Sequence, residues 1–127
     1  MISASLAGHS ILICEDEPLI AIDIANAFTE VGARVVTARS LPDALIAVED
    51  GALSAAILDH ALSDGDSSQV CERLKERNIP FVLYSGFGQL DGACGDAVHV
   101  SKPASSEVLV TTVLGLLRRR PTLNLKQ

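Results

Sequence analysis

The sequence predicts an α/β fold, a parallel sheet with helices on both faces. Three observations predict it. Short apolar runs alternate along the chain with segments of helical periodicity. The runs are continuously apolar, as in strands buried on both faces, which makes the sheet parallel. Glycine, proline and acidic residues mark the joins between segments. The chain has 127 residues and a mass of 13.3 kDa, the size of one domain. Hydrophobic residues make up 48% and charged residues 20%, enough to bury a core and too apolar for a disordered chain.

Ile11-Leu12-Ile13-Cys14 is the first strand, and it stops at Glu15, Asp16 and Glu17. Pro18 follows, where the first turn of a helix accepts proline. Ile20, Ile24, Ala27, Phe28 and Val31 recur at helical spacing opposite Asp23, Asn26 and Glu30, and Gly32 closes that helix. Ala33 to Ala38 is the second strand. Ser40 with Asp43 three residues on forms a capping pair for a short helix through Leu41, Leu45 and Val48. Ala55 to Leu58 is the third strand and ends on Asp59. A turn is expected at 63–66, then an amphipathic helix on Val70 and Leu74. Pro80 to Tyr84 is the fourth strand, ending on Ser85. Ala97 to Val100 is the fifth, ending on Ser101 and Lys102. The last helix is expected from Pro103 to Arg119 with Ser105 as its cap, and residues 120–127 as a tail.

Composition excludes several classes of function. The formal net charge is −6 and the pI about 4.9, against a sequence-independent grip on nucleic acid. Arg118, Arg119 and Arg120 cluster, but at a helix C-terminus, where cations complement the dipole. Aromatic residues are 3%, too few for a base-stacking platform. Cys14, Cys71 and Cys94 fit neither a CxxC redox motif nor a zinc site, and a sparse, odd set suits a reducing cytoplasm. Cys14 is expected in the core and Cys94, in a glycine-rich stretch, on the surface. The N-terminus lacks the basic and apolar regions of a signal peptide. The longest apolar-leaning run, Val108 to Leu117, is too short to cross a bilayer.

The strand ends carry the chemistry. Glu15-Asp16, Asp59, Ser85 and Lys102 each follow an apolar strand. In an open parallel sheet those C-terminal ends form one rim, where ligands bind. Three carboxylates brought together repel one another unless a cation intervenes, and an all-oxygen, partly hydrated pocket suits Mg²⁺. A carboxylate touching both a metal and a lysine can accept a phosphoryl group, and the cations neutralise the developing charge. Alone, an acidic pair after a strand is a common helix N-terminus, and an aspartate at a strand end a common turn residue. Their joint order and type are specific.

From about residue 9 to 119 the chain resembles the receiver domain of two-component response regulators. The segments that carry the resemblance are Ile11 to Pro18, Ala56 to Gly65, Leu83 to Gly86 and Val100 to Pro103. It implies a flavodoxin-like, doubly wound, five-stranded parallel sheet in the order 2-1-3-4-5. It implies Asp59 as phosphoacceptor, supplied by a histidine kinase or histidine phosphotransfer protein. Asp16 matches a direct Mg²⁺ ligand, Glu15 a ligand through water, and the backbone carbonyl of Ala61 the remaining protein ligand. Ser85 matches the switch hydroxyl and Lys102 the phosphoryl-contacting lysine, before a peptide bond to Pro103 that is typically cis.

The chain also departs from the family. Ser63 and Ser67 replace a common proline and glycine. His99 stands where a switching aromatic is usual; it is either a rim histidine or a polar, titratable variant of that switch. Sixteen residues separate Ser85 from Lys102, and four of them are glycine (86, 88, 92 and 95), which predicts a fourth helix that is short or irregular. Pro80-Phe81 with Ser85-Gly86-Phe87 is similar to the FAT-GUY group of stand-alone receivers, from which Leu83, Tyr84 and Gly88 depart.

The function implied is a single receiver domain that signals through conformational change to a protein partner and catalyses only its own phosphorylation and dephosphorylation. Rival readings are a receiver-fold binding module working without phosphorylation and a small phosphatase with Asp59 as nucleophile. Asp64-Gly65-Asp66 resembles a dehalogenase-type phosphatase motif but does not follow a strand. Val108, Leu109, Val113, Leu116 and Leu117 exceed one buried stripe; they predict either close packing on the sheet or a homodimer or partner surface.

Overall fold

The computed structural model describes residues 5–59, 61–62, 65–86, 92–95 and 97–119. In chain order the elements are β1 (Ser10–Cys14), α1 (Pro18–Glu30), β2 (Arg34–Ala38), α2 (Leu41–Ala47), β3 (Leu53–Asp59), β4 (Ala61–Leu62), β5 (Gly65–Asp66), α3 (Ser68–Glu76), β6 (Phe81–Ser85), α4 (Gly92–Gly95), β7 (Val98–Ser101) and α5 (Ser106–Arg119). Five strands form one parallel sheet in the order β2-β1-β3-β6-β7. Counted along the chain, this is the expected 2-1-3-4-5. The antiparallel pair β4/β5 brackets residues 63 and 64, so the turn expected there lies partly outside the described residues.

Alternation along β1 shows why the sheet is buried twice. Ile11 and Ile13 face α1 and α5, where they meet Ile24, Phe28, Leu109 and Val113. Leu12 and Cys14 face the other layer, with Ala44, Val48, Val70 and Leu74. Successive strand side chains point to opposite faces, so a strand covered on both sides must be apolar at every position. The edge strand β7 departs from this: Val98 and His99 are exposed, because a sheet edge has a neighbour on one side only.

Local signals act as expected at most joins. The Ser40 hydroxyl accepts the Asp43 N–H at 3.2 Å, and the Ser105 hydroxyl accepts the Val108 N–H at 3.3 Å. Gly32 closes α1 at φ +96°, and a Cβ there would stand 3.2 Å from the Ala7 backbone nitrogen. The Lys102–Pro103 bond is cis. The described part of the fourth crossover is a four-residue helix, α4, as its glycines predict.

Two expectations are corrected. The buried stripe of α1 is Ala21, Ile24 and Phe28; Ile20 is partly exposed, and Leu19 and Ile22 face solvent. The helix enters at an angle that brings a small alanine, not Ile20, against the sheet. Cys94 is buried, not exposed, and is joined to Cys71 of α3 in a disulfide, with Cα atoms 5.3 Å apart. The disulfide does not fit the reduced thiols read from the sequence. Of the two readings of α5, close packing is the one its burial fits: Leu109, Val110 and Val113 are buried, Leu116 and Leu117 pack against the same core, and Val108 alone among these is exposed. Cys14 is buried as expected, and burial pushes its thiol up to about 12, too high for a reactive thiolate at neutral pH.

Candidate functional site

The site is assembled by chain reversals at the C-terminal ends of β1, β3, β6 and β7. The Glu15 N–H donates to the Ala38 carbonyl at 3.0 Å, extending the ladder one residue past β1 and holding Glu15 at the sheet edge. Its side chain is therefore buried. Asp59 is the last residue of β3 and pairs in register with Tyr84 of β6. The Ser85 carbonyl accepts the Lys102 N–H at 2.9 Å, which anchors the residue after β7 beside the end of β6.

Carboxylate oxygens of Glu15, Asp16 and Asp59 lie within 4.8 Å of one another. Glu15 and Asp59 are buried and Asp16 half-buried. The Lys102 ammonium donates to Asp59 Oδ2 at 3.0 Å and sits 5.1 Å from the centre of the Tyr84 ring. Burial works against the lysine charge, but the Asp59 hydrogen bond and the negative charges of Asp59 and Glu15 outweigh it, so Lys102 is held above its ordinary value. Glu15 is pushed up to about 7, first by burial and then by the charge of Asp59; the Glu17 N–H and Lys102 only partly oppose this. One Glu15 oxygen accepts the Glu17 N–H at 3.1 Å. The other, Oε1, is buried without a hydrogen-bond partner among the described residues.

A buried carboxylate oxygen without a partner, beside two further carboxylates, is unfavourable unless a cation or proton joins it. The donors are all oxygen, so Mg²⁺ fits better than a metal that prefers nitrogen or sulfur. Glu15, Asp16 and Asp59 can hold it. Ala61 begins β4 two residues beyond Asp59, so its carbonyl belongs to the chain leaving the same rim.

The structure thus brings Glu15, Asp16, Asp59 and Lys102 together, with buried Ser85 at the end of the strand beside Asp59. His99 is not in that group; it is exposed on β7 opposite Leu83. The sequence places Tyr84 at the end of the fourth strand but does not single it out as a site residue. Its one signal was a lone tyrosine in a run of aliphatic strand residues, since a buried phenol needs a polar partner.

The comparisons with known proteins agree with this architecture. Residues 11–114 match the family model described as response regulator receiver domain. The transcriptional regulatory protein TcrA of Mycobacterium tuberculosis is 32% identical over 125 residues, covering 91% of this chain and 49% of that protein. The chain therefore spans about half the length of the curated relatives it matches. Among solved structures, a response regulator receiver protein from Sinorhizobium medicae aligns with a TM-score of 0.81 and 29% identity, covering 92% of this chain and all of that one. SdrG from Sphingomonas melonis aligns at 0.70 with 35% identity, covering 89% and 98%. With the doubly wound sheet and the acidic rim, these matches show that the chain belongs to the response regulator receiver domain family of two-component systems.

Proposed function

We propose that Asp59 accepts a phosphoryl group from the phosphohistidine of a histidine kinase or histidine phosphotransfer protein, and that the phosphorylated domain signals to a protein partner by changing shape. The observation that carries this reading is the Asp59 carboxylate, bonded to Lys102 at 3.0 Å and clustered with Glu15 and Asp16. One Asp59 oxygen attacks phosphorus. The P–N bond to the donor histidine breaks as the new O–P bond forms, and the imidazole leaves with the electron pair and takes up a proton. Lys102 offsets charge on the transferred group. Mg²⁺, held by Glu15, Asp16, Asp59 and the Ala61 carbonyl, supplies further charge neutralisation when bound. The Ser85 hydroxyl donates to a phosphoryl oxygen once the group is in place, and His99 is the proposed responder on β7.

Leu19 and Ile22 support a protein as donor. They are exposed near the start of α1, just past the acidic pair, and Ile22 borders a groove of about 230 Å³ with Pro18, Ala25 and Arg39. An apolar patch beside a charged site suits a protein surface that docks and then reacts. The proposed location is the cytoplasm; among the described residues no helix is long and apolar enough to cross a membrane. In that compartment the Cys71–Cys94 disulfide is expected to exchange with the thiol pool. The net charge of −6 argues against direct binding of nucleic acid.

Intact mass after incubation with acetyl phosphate and Mg²⁺ tests the reading. The expected result is one phosphoryl adduct, lost with EDTA and absent in Asp59→Ala. No adduct from acetyl phosphate or a phosphorylated phosphotransfer protein, and no spectral response to beryllofluoride, would leave a binding module that works without phosphorylation.

A further inference from the structure

Tyr84 immediately precedes Ser85 on β6, and its side chain is 7% exposed. A buried phenol needs a hydrogen-bond partner. This one has two, both on one residue of the loop that carries Lys102. The hydroxyl donates to the Ala104 carbonyl at 3.0 Å and accepts the Ala104 N–H at 3.3 Å. A hydroxyl can do both at once, as one donor with two acceptor lone pairs. On the other side of the same loop the Ser85 carbonyl takes the Lys102 N–H. Two successive residues of β6 therefore hold the chain at positions 102 and 104. Between those anchors the Lys102 side chain runs past the Tyr84 ring, its ammonium 5.1 Å from the ring centre, to reach Asp59 at 3.0 Å.

We propose that Tyr84 is a positioning residue for Lys102: its hydroxyl clamps Ala104, its ring carries the ammonium, and together they hold the lysine on the Asp59 carboxylate. The role is specific to the hydroxyl at position 84, since an aliphatic residue would fill the core and leave Ala104 unclamped. A lysine stem has four rotatable bonds, and fixing them before the reaction lowers the entropy lost in reaching the transition state. The inference rests on the reading of Asp59 as phosphoacceptor, and the test separates the two.

The test uses the full chain, with wild type, Tyr84→Phe, Lys102→Gln and the double variant. Tyr84→Phe keeps the ring and the packing and removes only the clamp. Adduct formation from acetyl phosphate with Mg²⁺, followed by intact mass, is expected to slow roughly three- to tenfold in Tyr84→Phe, the loss of one or two hydrogen bonds. In the Lys102→Gln background the same change is expected to have no further effect, because a residue acting through Lys102 has nothing left to position. An equal slowing in both backgrounds, or none in either, overturns the proposal.

A second readout needs no phosphate. The chain has three lysines, Lys75, Lys102 and Lys126, so a lysine-labelled NMR spectrum is sparse and Lys102→Gln assigns its signal. The Lys102 side-chain signal is expected to be displaced by the Tyr84 ring current and to move toward the free-lysine position in Tyr84→Phe. An unmoved signal overturns the proposal. A moved signal in a protein that takes no phosphate would retain Tyr84 as the lysine's support and reject Asp59 as acceptor.

Discussion

At the N-terminal ends of β1 and β2, Gly8, Ser10, Gly32 and Arg34 border a cavity of about 280 Å³. At the C-terminal ends of β1 and β3, three carboxylates and a lysine share the rim. The same strands build both ends. The lower cavity is larger than the groove beside α1, yet it gathers no carboxylate cluster, and backbone groups on its wall are paired within the fold. Ser10 N–H donates to Ser54 Oγ at 3.1 Å and Arg34 N–H to the His9 carbonyl at 2.9 Å. The upper rim has the buried Glu15 Oε1 with no partner and a carboxylate raised to about 7. Concavity alone does not mark a site. Unbalanced charge and unsatisfied polar atoms at strand C-termini do.

Substitutions at the two ends should separate chemistry from stability. The largest expected effect is at the upper end: Asp59→Asn reduces adduct formation to background in the mass assay, with the far-UV circular dichroism spectrum retained. An adduct on another residue would break the comparison. Next comes the sulfur link behind that rim. The Cys71–Cys94 bond spans a sequence separation of 23, and replacing both cysteines with alanine is expected to lower unfolding free energy in urea by about 3 kcal/mol. Equal stability of the wild type with and without reductant would show the thiols unjoined.

The third effect is on pH dependence. Glu15 has an ordinary value near 4.5 and stands near 7 in the fold. Between those values the folded chain keeps a proton that the unfolded chain has lost. Stability in EDTA should therefore fall as pH rises from 5 to 8, on the order of 3 kcal/mol from this group. Glu15→Gln should flatten that slope, and Mg²⁺ should restore stability above pH 7 by joining the ionised acids. A flat wild-type profile would remove Glu15 from the account.

At the lower end, Gly32→Ala is expected to cost about 1–3 kcal/mol, because φ is +96° and the new Cβ meets the Ala7 backbone. Its adduct rate well below the melting midpoint should match wild type. A slowed rate would mean the two ends are coupled through β1. The smallest effect is at the surface: Glu49→Gln removes the paired contacts of Arg73 with Glu49 but should leave the melting midpoint within error, since both side chains are solvated.

Much of this was legible from residue order. Apolar runs ending on Glu15-Asp16, Asp59, Ser85 and Lys102 mark strands of the main sheet, its parallel sense and the acidic rim, because residues at strand ends in a parallel sheet share one edge, whereas the short β4/β5 pair carries no apolar run. Gly32, Ser40 and Ser105 act locally, so their roles follow from neighbours in sequence. The helix faces were less legible. Ile20 and Ala21 both fit an apolar stripe, and the choice depends on how α1 lies across β1 and β2, which periodicity does not encode.

Residue order alone was enough to place the five strands of the main sheet, the flanking helices and the groups at the rim. The tertiary structure alone decided which distant groups touch. It joined Cys71 to Cys94, left Glu15 Oε1 without a partner, and brought the Tyr84 hydroxyl to Ala104. Each is a contact between residues at least twenty apart or a consequence of burial. Local propensity acts over a turn or two, while such contacts are set by the path of the chain between them and the packing of the layers that close around them.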